Sequence, residues 1–134
     1  VAERVELIQS DLFASLGNRR YDLIVSNPPY VTHAEYAAMP AEYAHEPQLG
    51  LTSGDDGLDL TLRMLDEAAG RLNDQGVLIV EVGESQRALE ALLPQVPFAW
   101  VEFKVGQMGV FVLQREDIVE HAEAIAAVRA DRRV

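Results

Sequence analysis

Cysteine is absent from these 134 residues. That excludes a disulfide framework, thiolate metal sites and a cysteine nucleophile. No apolar run approaches the length of a membrane span, and no signal-peptide pattern opens the chain. The expectation is a cytoplasmic protein with no membrane partner. Basic residues are scarce: 11 Lys and Arg stand against 22 Asp and Glu, a formal net charge of −11. Such a chain repels phosphate backbones overall, whereas nucleic-acid binders show a basic face. Direct DNA binding is therefore not expected. A basic protein partner would be steered inward by the opposite charge, although solubility alone is an equal explanation. The three histidines, His33, His45 and His121, lack the spacing of a metal site or a hydrolase triad. Asp55, Asp56 and Asp59 lack the spacing and closing glutamate of a calcium loop, so no metal is expected.

What the chain does contain is an alternation of strand and helix patterns within the length of one domain. Val5-Glu6-Leu7-Ile8 predicts a short strand ending at Ser10-Asp11. A helix or irregular segment follows over Leu12 to Leu16, closed by Gly17-Asn18. Tyr21 to Ser26 is apolar, β-branched and without alternation, which suits a central parallel strand covered on both faces. Val31 to Gly57 is a long connection of the kind that is functional or disordered, with a short helix expected near Ala34 to Met39. Ser53-Gly54-Asp55-Asp56-Gly57 feeds a helix that Asp55 or Asp56 would cap. Leu58, Leu62, Leu65, Ala69 and Leu72 share one face of it, and it is expected to stop near Asn73-Asp74-Gln75-Gly76.

Val77 to Val82 predicts a second buried strand, ended by Gly83. Ser85 then caps a helix to about Leu93. Phe98 to Val105 and Val110 to Gln114 read as a hairpin around Gly106-Gln107-Met108-Gly109. Glu116 to Arg132 is helical in propensity, either a solvated helix or a frayed tail. The order of elements indicates an α/β layered domain over residues 1–115 followed by a charged helical tail over 116–134.

Asn27-Pro28-Pro29-Tyr30 follows the Tyr21 strand directly. Two prolines stop a sheet ladder, since proline has no N–H and a fixed φ. Pro28 also drives Asn27 toward extended backbone. The result is a stiff turn at a strand's carboxyl end, where open α/β sheets bind ligands. Its rigid acceptors suit a substrate that offers two amide or amine hydrogens. A strand-ending turn with a core tyrosine is the bland alternative. Glu81, near the end of the second strand, would face the same cleft or solvent.

This turn resembles the Asn/Asp-Pro-Pro-Tyr motif of amino-methyltransferases. Ser10-Asp11-Leu12-Phe13, Tyr21 through Val31, His45-Glu46-Pro47 and Gly54-Asp55-Asp56-Gly57-Leu58 together resemble the protein-glutamine N5-methyltransferases. Pro40-Ala41-Glu42-Tyr43 is most similar to the branch that modifies a large-subunit ribosomal protein; a sister branch modifies release factors. The resemblance runs from about the start of the chain to Gln114. It implies a partial class I, Rossmann-like methyltransferase fold that uses S-adenosylmethionine and ends in an antiparallel hairpin. The family's glycine-rich loop, and the acidic residue that holds the ribose, do not occur before Asn27. The chain is thus expected to lack the first two strands and to be inactive alone; its first segment, without its natural neighbour, would be disordered, re-paired beside the Tyr21 strand or swapped with another copy, and the exposed edge of the Tyr21 strand would invite a homodimer.

The resemblance also implies roles. Asn27, Pro28 and Tyr30 would be catalytic, with Asn27 touching the cofactor as well. Asn27, Pro28, Pro29, Tyr30 and Glu46 would bind the substrate, with Pro47 beside Glu46 in the loop. Asp11 and Leu12 would lie beside the cofactor's adenine; a helix cap and a core leucine are the alternatives there, and a surface loop for Glu46. The protein substrate would be a ribosomal protein or a release factor. Two other functions stay open: an amino-methyltransferase for a flipped nucleic-acid base, with Tyr30, Tyr36 and Tyr43 to stack on it, and a truncated domain without catalysis.

Overall fold

In the computed structural model, residues 2–28, 57–104 and 109–132 are described. Among these residues, the strands and α-helices follow one another as β1 (Tyr21–Ser26), α1 (Asp59–Ala68), β2 (Leu72–Glu81), α2 (Gln86–Leu92), β3 (Ala99–Trp100), β4 (Val110–Gln114), α3 (Arg115–Glu120) and α4 (Ala122–Asp131). The strands form one mixed sheet in the order β1-β2-β4-β3. β1 and β2 are parallel; β4 runs antiparallel to both β2 and β3. The architecture is α/β, as the alternation of patterns predicts.

β2 is the central strand. Leu78 and Val80 are fully buried, with Val82 just beyond the strand's end. They meet the buried face of α1, where Leu62, Met64, Leu65 and Ala68 recur at helical spacing. Leu58 occupies the N-cap of α1 and makes no side-chain cap bond. Asp55 and Asp56, the expected caps, lie outside the described residues. So does the helix expected near Ala34.

The expected stop near Asn73 is corrected: α1 ends at Ala68, and Leu72 already begins β2. The turn-forming run Asn73 to Gly76 sits instead inside the strand as an irregularity. Tyr21 pairs with Leu72 but Leu23 pairs with Val77, so the intervening residues loop out of register. Gln75 takes φ +65° there.

Two further corrections concern the amino-terminal part. Val5 to Ile8 is not a strand; Val5, Leu7 and Ile8 are exposed. A β segment needs a neighbour for its backbone groups, and this one has none among the described residues. Tyr21 to Ser26 is parallel, as expected; among the described residues it lies at the sheet edge, which matches the expected exposed edge and corrects the reading of a central strand covered on both faces. Leu23 and Val25 on its outer face are 54% and 67% exposed, while Ile24 packs toward the core.

The hairpin is present, although its first strand is only two residues long. Phe98, Trp100 and Phe111 close it, with ring centroids 4.9 to 5.7 Å apart. Residues 105–108 of its connection lie outside the described set. The charged segment from Arg115 is not a free helix or a frayed tail. Ile118 and Ile125 are buried, and Arg129 reaches Asp66 at 2.9 Å and Glu67 at 3.2 Å on α1. Arg132 reaches Asp59 at 2.8 Å. Among the described residues, no helix is long and apolar enough to cross a membrane.

Candidate functional site

The site is built on the carboxyl end of β1. Ser26 pairs with Val80, so Asn27 emerges level with Glu81, the last residue of β2. Asn27 is exposed and Pro28 is buried behind it. This division follows from the turn's chemistry. A polar amide gains nothing from burial without partners, whereas the proline ring gives up no donor when packed away. The side chain of Asn27 therefore faces out from a backbone anchored by its successor. Pro29, Tyr30 and Glu46 lie outside the described residues.

Asp11 and Leu12 occupy a turn before a short 3-10 segment, Ala14–Leu16. The expectation that Asp11 caps a helix does not hold: Phe13 is at the N-cap, and Asp11 contributes its carbonyl to the amide of Ala14 at 3.0 Å. Leu12 takes φ +51°, a left-handed conformation unusual for leucine, and packs against the edge of the core. Such outliers cost roughly 1–3 kcal/mol and cluster at ligand clamps. The turn is pinned by the buried ring of Phe13 and by Ser10 Oγ, which accepts the Ser15 amide at 2.8 Å.

The Asp11 carboxylate is held from α1. Arg63 Nη1 donates to Asp11 Oδ1 at 3.2 Å. Arg63 was not singled out by sequence pattern, since one cation on an amphipathic helix looks like a solvated position; its neighbours Leu62 and Met64 are buried. The start of β1 lies beside the end of α1, because the Tyr21 amide donates to the Arg71 carbonyl at 2.8 Å. α1 therefore begins at the opposite end, where β1 stops. Arg63 lies midway along it and holds Asp11 there.

An exposed carboxylate beside a left-handed apolar residue offers an acceptor for an amino group and a surface for a ring. At the end of β1, Asn27 offers an exposed amide. His121 starts α4, its Nδ1 2.9 Å from the Asp117 carbonyl; His33 and His45 lie outside the described residues. A cleft of about 460 Å³, lined by Asn18, Arg20, Glu67, Gly70 and Arg71, opens at the other end of β1. Its arginines bond the carbonyls of Leu72 and Gly17 and so serve the fold.

No protein-family model matches the chain. Curated relatives do. The chain is 58% identical over 132 residues to the ribosomal protein uL3 glutamine methyltransferase of Xylella fastidiosa, covering 98% of the chain and 42% of that protein. It is 53% identical over 131 residues to the protein of that name from Xanthomonas campestris, with 98% and 42% covered. The Neisseria gonorrhoeae protein of that name is 51% identical over 117 residues, with 87% and 39% covered. The chain thus spans less than half the length of these relatives. Over nearly all of its residues, the chain is thus similar to a part of proteins named as ribosomal protein glutamine methyltransferases.

Proposed function

We propose that this chain is the later part of an S-adenosylmethionine-dependent enzyme that methylates the side-chain nitrogen of a glutamine in a ribosomal protein. The observation that carries the reading is Asn27, exposed at the carboxyl end of β1 with Pro28 buried behind it. The sheet order supports it: two parallel strands, then an antiparallel hairpin, suit the half of a class I methyltransferase that follows the first strands. A ribosomal-protein substrate implies work in the cytoplasm.

An amide nitrogen is a poor nucleophile, because its lone pair is delocalised into the carbonyl. Asn27 Oδ1 and the Pro28 carbonyl each accept one hydrogen of the glutamine amide. That fixes the nitrogen's direction, and orientation of this kind supplies several kcal/mol of a barrier. The same two oxygens favour the positive charge that develops on nitrogen. Bound S-adenosylmethionine would supply an electrophilic methyl group on sulfur. The proton leaves nitrogen after transfer, so no general base need be in place first. Tyr30 would pack against the substrate side chain, and Pro29 and Glu46 would shape the loop that receives it. Asp11 and Leu12 would hold the adenine.

Among the described residues, β1 is paired along one edge only, and Leu23 and Val25 on its outer face are exposed. A second copy, pairing through that edge, is the proposed occupant.

The test compares S-adenosylmethionine titrated into this chain and into a version extended at Val1 to the length of the relatives. Weak or absent binding to the chain and clear binding to the extended protein are expected; tight binding to the chain would overturn the reading of it as a part. Methyl transfer by the extended protein should appear on ribosomal protein uL3. Transfer to release factor alone, or to DNA alone, would overturn the substrate assignment.

A further inference from the structure

We propose that Arg63 is a positioning residue for nucleobase recognition: by holding Oδ1 of Asp11, it leaves Oδ2 aimed to accept the exocyclic amine of adenine. The proposal rests on the assignment of Asp11 and Leu12 to the adenine end of the site.

The two side chains of the pair are unequally exposed. The Arg63 side chain is 21% exposed, the Asp11 side chain 64%. The guanidinium is thus set into the flank of α1, and the carboxylate projects from it. Arg63 Nη1 meets Oδ1 at 3.2 Å. Oδ2 has no partner among the described residues. A fixed guanidinium on one oxygen removes rotational freedom from the carboxylate and presents the other oxygen in one direction.

The turn itself does not need this bond. Phe13 anchors it in the core, the Asp11 carbonyl takes the Ala14 amide, and Ser10 Oγ takes the Ser15 amide at 2.8 Å. Removing the Arg63 side chain therefore frees the carboxylate without dismantling the turn that carries it. An exposed pair of this kind adds little to folding stability. Its consequence lies in selectivity. An amine donates to a carboxylate oxygen, whereas the carbonyl of a deaminated base repels it.

The experiment uses the protein extended at Val1 and reads binding by calorimetry, with S-adenosylhomocysteine and its deaminated analogue S-inosylhomocysteine as probes. The unmodified protein should favour the adenosyl compound by at least about tenfold. Asp11→Ala should bring the ratio of dissociation constants near one. Arg63→Met should shrink it several-fold while the melting temperature holds, and the double variant should be no worse than Asp11→Ala. Arg63→Gln, which keeps a polar tip, should act as Arg63→Met does and decides the matter if the methionine variant does not fold. An unchanged ratio in the Arg63 variants, with collapse in Asp11→Ala, would overturn the positioning role alone. An unchanged ratio in Asp11→Ala would overturn the adenine assignment and the role of Arg63 with it.

Discussion

The carbonyl of Gly109 accepts hydrogen bonds from two consecutive amides, Val82 at 2.6 Å and Gly83 at 3.3 Å. This ties the start of β4 to the end of β2, beside the end of the sheet where Asn27 emerges. Gly109 has φ +80°, and a Cβ there would overlap the backbone of Gly83. Gly109→Ala should therefore destabilise the chain by at least about 2 kcal/mol, near the upper range for single substitutions. Urea unfolding of the two proteins measures it; a difference below 0.5 kcal/mol, the size of about an ordinary surface change, would contradict the close approach.

Acid sensitivity has a local source at the strand irregularity. Glu116 Oε1 accepts the amide of Gln75 at 2.8 Å, and this bond holds the Glu116 carboxyl below its ordinary value of 4.5. A lowered folded-state value means that the stabilisation is complete above the unfolded value. It is lost as pH falls through the folded one. Glu116→Gln should therefore unfold more easily than the unmodified chain at pH 7, and the gap should close below about pH 4.5. Urea midpoints taken from pH 7 to pH 3 check this. Glu6, held low by its hydrogen bond from Arg19, titrates in the same window and is common to both proteins.

The last helix behaves as part of the core. Ile125 is fully buried where α4 meets α1. Ile125→Ala should cost about 2–5 kcal/mol, the range for a buried aliphatic truncated to alanine. Val119, which is exposed, should tolerate alanine with a change of about 0.5 kcal/mol or less. Thermal or urea unfolding separates the two; equal effects would mean that α4 is not docked.

Self-association tests the outer edge of β1, which is unpaired among the described residues. Sedimentation of the chain should show dimers, and Val25→Lys, which charges the exposed face of β1, should shift them to monomer. A monomer at all concentrations would remove the edge-pairing proposal.

Much of the sheet was legible in the sequence because two signals coincide there. Short β-branched runs at Tyr21 and Val77 are bounded by turn residues, and Leu58 to Leu65 keeps a helical period. The errors have common causes. Val5 to Ile8 carries strand propensity, but propensity cannot supply a neighbour to bond. Asn73 to Gly76 has the composition of a turn, and local composition does not tell a turn between elements from a bulge within one. The docking of α4 depends on Ile125 and on arginines that reach α1 over some sixty residues of sequence, a separation that periodicity does not register. At the site, the Asn27 turn announced itself through its prolines. Arg63 did not, because its partner Asp11 lies 52 residues away.

The most direct measurement is single-turnover methyl transfer by Asn27→Ala in the protein extended at Val1, with circular dichroism to confirm the fold. If Asn27 Oδ1 orients the glutamine nitrogen and receives its developing charge, the rate should fall by about a hundredfold or more, as when one preorganised polar group is removed from an active site. A rate within twofold of the unmodified enzyme would contradict the role given to that oxygen.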